Sequence, residues 1–187
     1  DSPSRTDYEE FKRLFGRDDE TALCLLELQT SVLEVHSLER IHALTEGLRG
    51  LPLVDQNRVV SLTSAPLVRT ESGDVLDVGP FFEPARAKDW DANAYDLLLR
   101  DHPAFADRLL SDDRRLAAFL VPLVHLDEGA RTEKIRRQFA RDVRAFFAKQ
   151  LQPDERVHLD GFAITYDTVL GLLVKDVLAF YPLALVL

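Results

Sequence analysis

The chain divides into stretches whose apolar residues recur at helical spacing and stretches that are apolar throughout or alternate. In residues 4–16, Tyr8, Phe11, Leu14 and Phe15 share one helical face, Asp7, Glu9 and Glu10 sit near the positive end, and Gly16 stops the helix. A charged turn over 17–20 leads into 22–30, which reads as a largely buried strand. Ser37 is a good N-cap, and Leu38, Ile41, Leu44, Leu48 and Leu51 form one stripe of a helix that Gly50 and Pro52 end. Residues 59–63 then give a second strand. Residues 67–70 and 75–78 flank a turn over 71–74, a hairpin pattern.

Beyond a loop at 81–84, residues 89–101 and 103–110 read as two short helices separated at Pro103. Residues 115–125 form a strand in which Pro122 marks an edge, a bulge or an end. A long helix follows over 132–151, with Ile135, Phe139, Val143, Phe146 and Leu151 on one side. A strand over 156–164 closes the pattern and leads into a terminal helix capped by Thr165 or Asp167. Two strand–helix–strand units with a hairpin and short helices inserted between them predict an α+β fold. Its architecture is a ferredoxin-like split β-α-β sandwich. Right-handed crossovers would place both long helices on one face of the sheet.

The last twenty residues change the picture. From Thr168 to Leu187 the only charges are Lys175 and Asp176, and Val177 onward is almost wholly apolar. Exposing such a run invites aggregation, and it is shorter than the roughly 17–25 residues that a bilayer requires. It reads as the first turns of a membrane helix continuing past Leu187, with Lys175 and Asp176 at the water–membrane boundary. The polar opening, without Met, agrees with a segment of a longer protein.

Length and composition narrow the classes. The 187 residues allow one domain or two small ones, and 46% hydrophobic content supports a real core. A net charge of −9 argues against a nucleic-acid partner. Cys24 is the only cysteine, which excludes an internal disulfide and a thiolate zinc cluster.

Little in the sequence carries covalent chemistry. His36, His42, His102, His125 and His158 match no metal-binding spacing, although His125 and His158 lie on predicted strands and could meet. No phosphate-binding glycine loop or serine nucleophile motif occurs. Acidic runs at 18–20 and 112–113 fall at turns, where solvated charge is the commoner role. Cys24 reads as a core residue. The helix over 132–151 presents Lys134, Arg136, Arg137, Arg141, Arg144 and Lys149. That face could meet anionic lipid or an acidic partner, or be salt-bridged or solvated. Phe81, Phe82, Trp90 and Tyr95 concentrate aromatics at a junction and are candidates for lining an apolar substrate cleft, against the alternative of ordinary packing. The expectation is no catalytic residue, no metal and no cofactor.

Four stretches carry a resemblance to a known family: residues 8–20, residues 59–65, residues 110–123, and Gly161-Phe162-Ala163-Ile164 with Asp176 and Pro182 downstream. In their order the chain resembles the first large extracytoplasmic loop of transporters of the resistance-nodulation-division superfamily, in the branch of the MMPL, hopanoid-transporter and Patched proteins. Phe162 departs from the proline that the family often has after that glycine. The resemblance implies a linker helix over 1–20 following membrane helix 1. A periplasmic porter domain would occupy 21–164, and 165–187 would lead into membrane helix 2. It implies a proton-driven exporter of lipids or other hydrophobic molecules in the bacterial inner membrane, this segment facing the periplasm or the cell exterior. The proton-relay residues would lie in membrane helices outside this segment. The implied partners are a lipid-like substrate, the membrane through flanking helices, and further copies in a homo-oligomer. The rival expectations are a free-standing ferredoxin-like module binding lipid or protein and, with no spacing in its favour, a hydrolase using Asp and His.

Overall fold

The structure, a computed structural model, describes residues 20–71, 75–100, 102, 105, 108–124 and 132–186, without the side chains of 69–77, 86, 89 and 179–186. The helix expected over 4–16 and His125 lie outside these residues.

Strand β1 (Thr21–Glu27) leads to helix α1 (Val35–Arg49) and the short strand β2 (Val60–Ser61). An insertion follows: strands β3 (Pro66–Glu71) and β4 (Val75–Pro80), a 3-10 turn at Pro84–Asp89, and helix α2 (Ala92–Arg100). The second unit is β5 (Leu116–Pro122), α3 (Thr132–Gln150) and β6 (Arg156–Asp160), and helix α4 (Phe162–Val186) ends the chain. The sheet order is β2-β5-β1-β6 with every pair antiparallel, and β3-β4 form a separate two-stranded sheet. This is the split β-α-β arrangement, with the hairpin and α2 inserted between two strands that are neighbours in the sheet.

Alternation decides which face of the sheet is covered. In β1, Ala22, Cys24 and Leu26 are fully buried while Leu23 and Leu25 are only partly so. Their partners across the ladder are Val121, Phe119 and Ala117, which puts these six side chains on one face. Helix α3 covers that face through Phe147, whose ring meets Phe119 edge-on at 6.1 Å. Helix α1 covers it through Leu38, Ile41, Leu44 and Leu48, and its Thr45 hydroxyl bonds Ser61 Oγ at 2.8 Å. Both long helices therefore lie on one face, as expected. They touch at Gly47, where a Cβ would lie 2.7 Å from the Phe146 ring, so any larger residue would require that ring to move.

Several boundaries differ from those the sequence suggests. Helix α1 begins at Val35, with Glu34 at the N-cap, so Ser37 lies inside the first turn. Ser37 is buried and its hydroxyl bonds Thr30 Oγ1 at 3.3 Å, which takes it out of a capping role. The second strand shrinks to two residues because the hydroxyls around it take the backbone's partners. Ser61 N donates to Ser64 Oγ at 2.9 Å and Ser64 N to Ser61 Oγ at 3.3 Å. β1 ends at Glu27 rather than 30, although Leu28 N still donates to Arg115 O at 3.0 Å. The first short helix begins at Ala92, with Asp91 accepting from the backbone of Asn93 and Ala94. The second, 103–110, lies largely outside the described residues; at its end Leu110 bridges Ala117 of β5. Pro122 is a strand end.

The last strand stops at Asp160, and α4 starts at Phe162, not after Thr165. Asp160 makes the switch by accepting from Gly161 N at 2.7 Å and from Thr165 Oγ1 at 3.2 Å. The expected boundary at 164/165 thus falls inside α4, whose Ala163 and Ile164 are buried. Farther along, Leu172, Leu173, Val174, Val177 and Leu178 are all more than half exposed. Lys175 and Asp176 lie among them, also exposed. Among the described residues, no helix is long and apolar enough to cross a membrane.

Gly161 has a φ of 109°. A Cβ there would run into the Thr21 carbonyl and sit 3.1 Å from Ala22 Cα. Gly161→Ala is therefore expected to destabilise the fold by at least about 2 kcal/mol in denaturant unfolding. A change within experimental error would show that the turn relaxes freely.

Candidate functional site

The four candidate aromatics come together because the hairpin hands them to the insertion. After β4, Phe81 N donates to Ala65 O at 2.8 Å and Phe82 N to Thr63 O at 3.2 Å, which carries the chain back along β3's approach. The 3-10 turn then delivers Trp90, and the first turn of α2 delivers Tyr95. Trp90 and Tyr95 stack at 3.9 Å with ring planes 3° apart. Phe81 meets Trp90 edge-on at 5.2 Å and Tyr95 at 5.5 Å, and Phe82 meets Trp90 at 5.4 Å. Phe105, 5.3 Å from Phe81, joins this cluster without having been singled out in the sequence, and Leu99 is buried as well. Phe81, Phe82 and Phe105 are inaccessible to solvent, whereas Trp90 and Tyr95 are half-buried. The cluster is packed ring against ring in this conformation, and its accessible face is the Trp90–Tyr95 stack.

Side-chain hydrogen bonds from Trp90 and to Asp96 help to fix the insertion to the main unit. Trp90 Nε1 donates to Leu33 O at 2.8 Å. Arg114 Nε donates to Asp96 Oδ1 at 2.5 Å, and hydrogen bonding to this guanidinium holds the Asp96 carboxyl below the usual carboxylate range. Arg114 belongs to the turn at 111–114 and has a φ of 60°. In that turn Asp113 accepts from Ser111 Oγ at 2.6 Å and Arg115 N at 3.1 Å, so its carboxylate builds the turn.

A second concavity, which no sequence motif announces, lies where the end of β1, the start of α1 and the α3–β6 connection meet. It measures about 460 Å³ and is lined by Thr30, His36, Ser37, Arg40 and Glu155 among others. At its base the Arg40 guanidinium binds both Glu155 oxygens at 2.8 Å and also donates to Gln150 O. Burial pushes the Glu155 carboxyl up, but the Arg40 hydrogen bonds, the Gln152 backbone N–H and the Arg40 charge outweigh it and leave it below its ordinary value. The arginine and the acid are separated by more than a hundred residues, so no local pattern could have paired them.

The basic face of α3 is largely engaged within the chain. Arg136 Nη2 binds Glu20 at 2.6 Å, and its guanidinium lies 5.4 Å from the Phe162 ring centroid. Arg137, Arg141 and Arg144 approach Asp167 at 3.2, 3.7 and 2.5 Å. Burial raises the Asp167 carboxyl, and hydrogen bonds from Arg137 and Arg144 with the surrounding positive charge more than reverse that. Lys134 and Lys149 are exposed.

Other candidates lie apart from one another. His158 lies on exposed β6 with Nε2 3.2 Å from Glu27, and His36 is an exposed neighbour of Glu34. Cys24 is fully buried, and burial pushes its thiol up to about 12, so it packs and does not react. Among the described residues no three His, Cys, Asp or Glu side chains are placed to hold a metal ion.

Phe81→Ala is expected to cost about 3–5 kcal/mol in equilibrium unfolding, because the ring has partners on every side. A cost below about 1 kcal/mol would mean that the cluster is an open lining and not a packed core. Glu155 and Asp167 both have lowered folded pKa values, so their stabilisation is complete above the ordinary carboxylate range, near pH 4, and is lost as pH falls through the folded values. Glu155→Gln and Asp167→Asn should each flatten the fall in stability between about pH 5 and 3. Parallel acid titrations of parent and variants would contradict this.

No known protein-family model matches the chain, and no curated protein matches it.

Proposed function

We propose that this chain is the extracytoplasmic substrate-handling domain of a proton-driven exporter of the resistance-nodulation-division type, acting on lipids or other hydrophobic molecules. The observation that carries the proposal is α4. It leaves a well-packed split β-α-β unit through a lock at Asp167 and then presents Leu172, Leu173, Val174, Val177 and Leu178 to solvent. Such a helix gains most by entering a bilayer, with Lys175 and Asp176 near the boundary. The insertion supplies the second support. Phe81, Phe82, Trp90 and Tyr95 form an aromatic body with one accessible stacked face, and aromatic side chains of this kind line small-molecule sites. In this reading the domain receives substrate, moves as a rigid unit and performs no covalent chemistry. A free-standing module that binds lipid or protein is the second reading, and the same exposed helix face supports it.

The test uses the gene's product in inner-membrane vesicles. A fluorescent amphiphile should accumulate when a proton gradient is applied, and a protonophore should abolish the accumulation. Trp90→Ala with Tyr95→Ala should lower the rate several-fold while the protein remains in the membrane. A product found only in the soluble fraction, with no gradient-dependent transport, would replace the exporter with the free-standing module.

A further inference from the structure

Beside the root of α4 lies a groove of about 400 Å³ lined by Glu133, Lys134, Arg137, Gln138 and Arg141. We propose that this groove is a docking site for the phosphate of an anionic phospholipid headgroup. The inference deepens the membrane reading of α4 and rests on it.

Lys134 lies three residues before Arg137 and four before Gln138, and these lie four and three before Arg141, so the four share one face of α3. The acids around them keep their charge, but each has a donor within the chain, and Lys134, Arg137, Arg141 and Arg144 outnumber Glu133, Asp142 and Asp167. Glu133 hydrogen-bonds Tyr166, and Asp142 accepts from Gln138 Nε2 at 2.7 Å. Asp167 is turned inward, 12% exposed, beneath three guanidiniums. Those guanidiniums are not equivalent. Arg144 is committed to Asp167, Ile164 O and Thr168 Oγ1. Arg141 reaches Asp167 only at 3.7 Å and is 57% exposed. A guanidinium has five donors in a planar fork that matches phosphate, so Arg141 can face outward to an anion while keeping its inward partner. Lys134, exposed on the rim, adds a point charge.

Position argues for a lipid over a free ion. Asp167 precedes Lys175 by eight residues, about 12 Å of helix. With the hydrocarbon boundary at Lys175, the headgroup layer takes up about 5–8 Å of that rise, and extended arginine and lysine side chains span the rest. The basic groove and the apolar stretch are then consecutive parts of one surface. The sign of the whole chain makes the effect measurable: a protein of net charge −9 is repelled by an anionic surface unless a local basic site overrides the repulsion.

The experiment measures partition of the full 187-residue chain onto sedimentable vesicles of phosphatidylcholine alone, or mixed with phosphatidylglycerol. Binding should be tighter on the mixed vesicles. Each cation near such a surface contributes roughly a five-fold change, so Lys134→Ala with Arg141→Gln should lose about twenty-five-fold on mixed vesicles. That variant should bind phosphatidylcholine as the parent does and should unfold in denaturant at the parent's midpoint, which shows that it is folded. Equal partition of the parent onto both vesicles overturns the headgroup site and leaves the membrane reading of α4 standing. Partition onto neither overturns both. Inorganic phosphate that binds the parent without vesicles, and competes fully with the anionic preference, would reassign the groove to a free anion.

Discussion

Gly161 passes so close to the Thr21 carbonyl that no side chain fits between them, and the whole C-terminal arrangement depends on that approach. The left-handed backbone at 161 turns the end of β6 across the start of β1, where Gly161 O accepts from Thr165 N as α4 begins. The same geometry brings Phe162 under Arg136 and Asp167 between Arg137 and Arg144. Helix α4 is therefore aimed by a backbone constraint and then held by charge. Residues beyond 171 need no contact with the domain for their direction to be set.

The ion pairs share a pattern. Arg40 with Glu155, Arg136 with Glu20, and Arg114 with Asp96 each join segments that are distant in sequence, across a place where helix or insertion meets sheet. Pairs this enclosed add little net stability relative to apolar packing, but breaking one strands a charge. They act as alignment points, while the energy of the fold comes from the buried face built by Ala22, Cys24, Leu26, Ala117, Phe119 and Val121 with the helices above it.

Periodicity made the main unit legible. The stripe Leu38, Ile41, Leu44 and Leu48 and the strand around Cys24 follow from spacing alone, and the order of the elements led to the right topology. It failed where side chains compete with the backbone. The run 59–63 is apolar enough for a strand and is buried, yet Ser61 and Ser64 bond each other's main chain and leave only two paired residues. Ser37 has the right chemistry for a cap but is drawn to Thr30. The aromatic cluster was visible as a local excess, whereas its closure against Phe105 and its tie to the Leu33 carbonyl required the fold. The polar groove at Arg40 was invisible because its defining pair converges only in three dimensions.

The insertion separates two strands that are already hydrogen-bonded neighbours, since Val60 and Ser61 pair with Leu120 and Phe119. A short hairpin loop would close the same ladder, and the entropy of closing a longer loop grows only slowly with its length. The main sheet therefore places almost no demand on what lies between β2 and β5. That segment is free to diverge in size and surface at little thermodynamic penalty, because the sheet beneath it is closed by the same ladder whatever the loop contains.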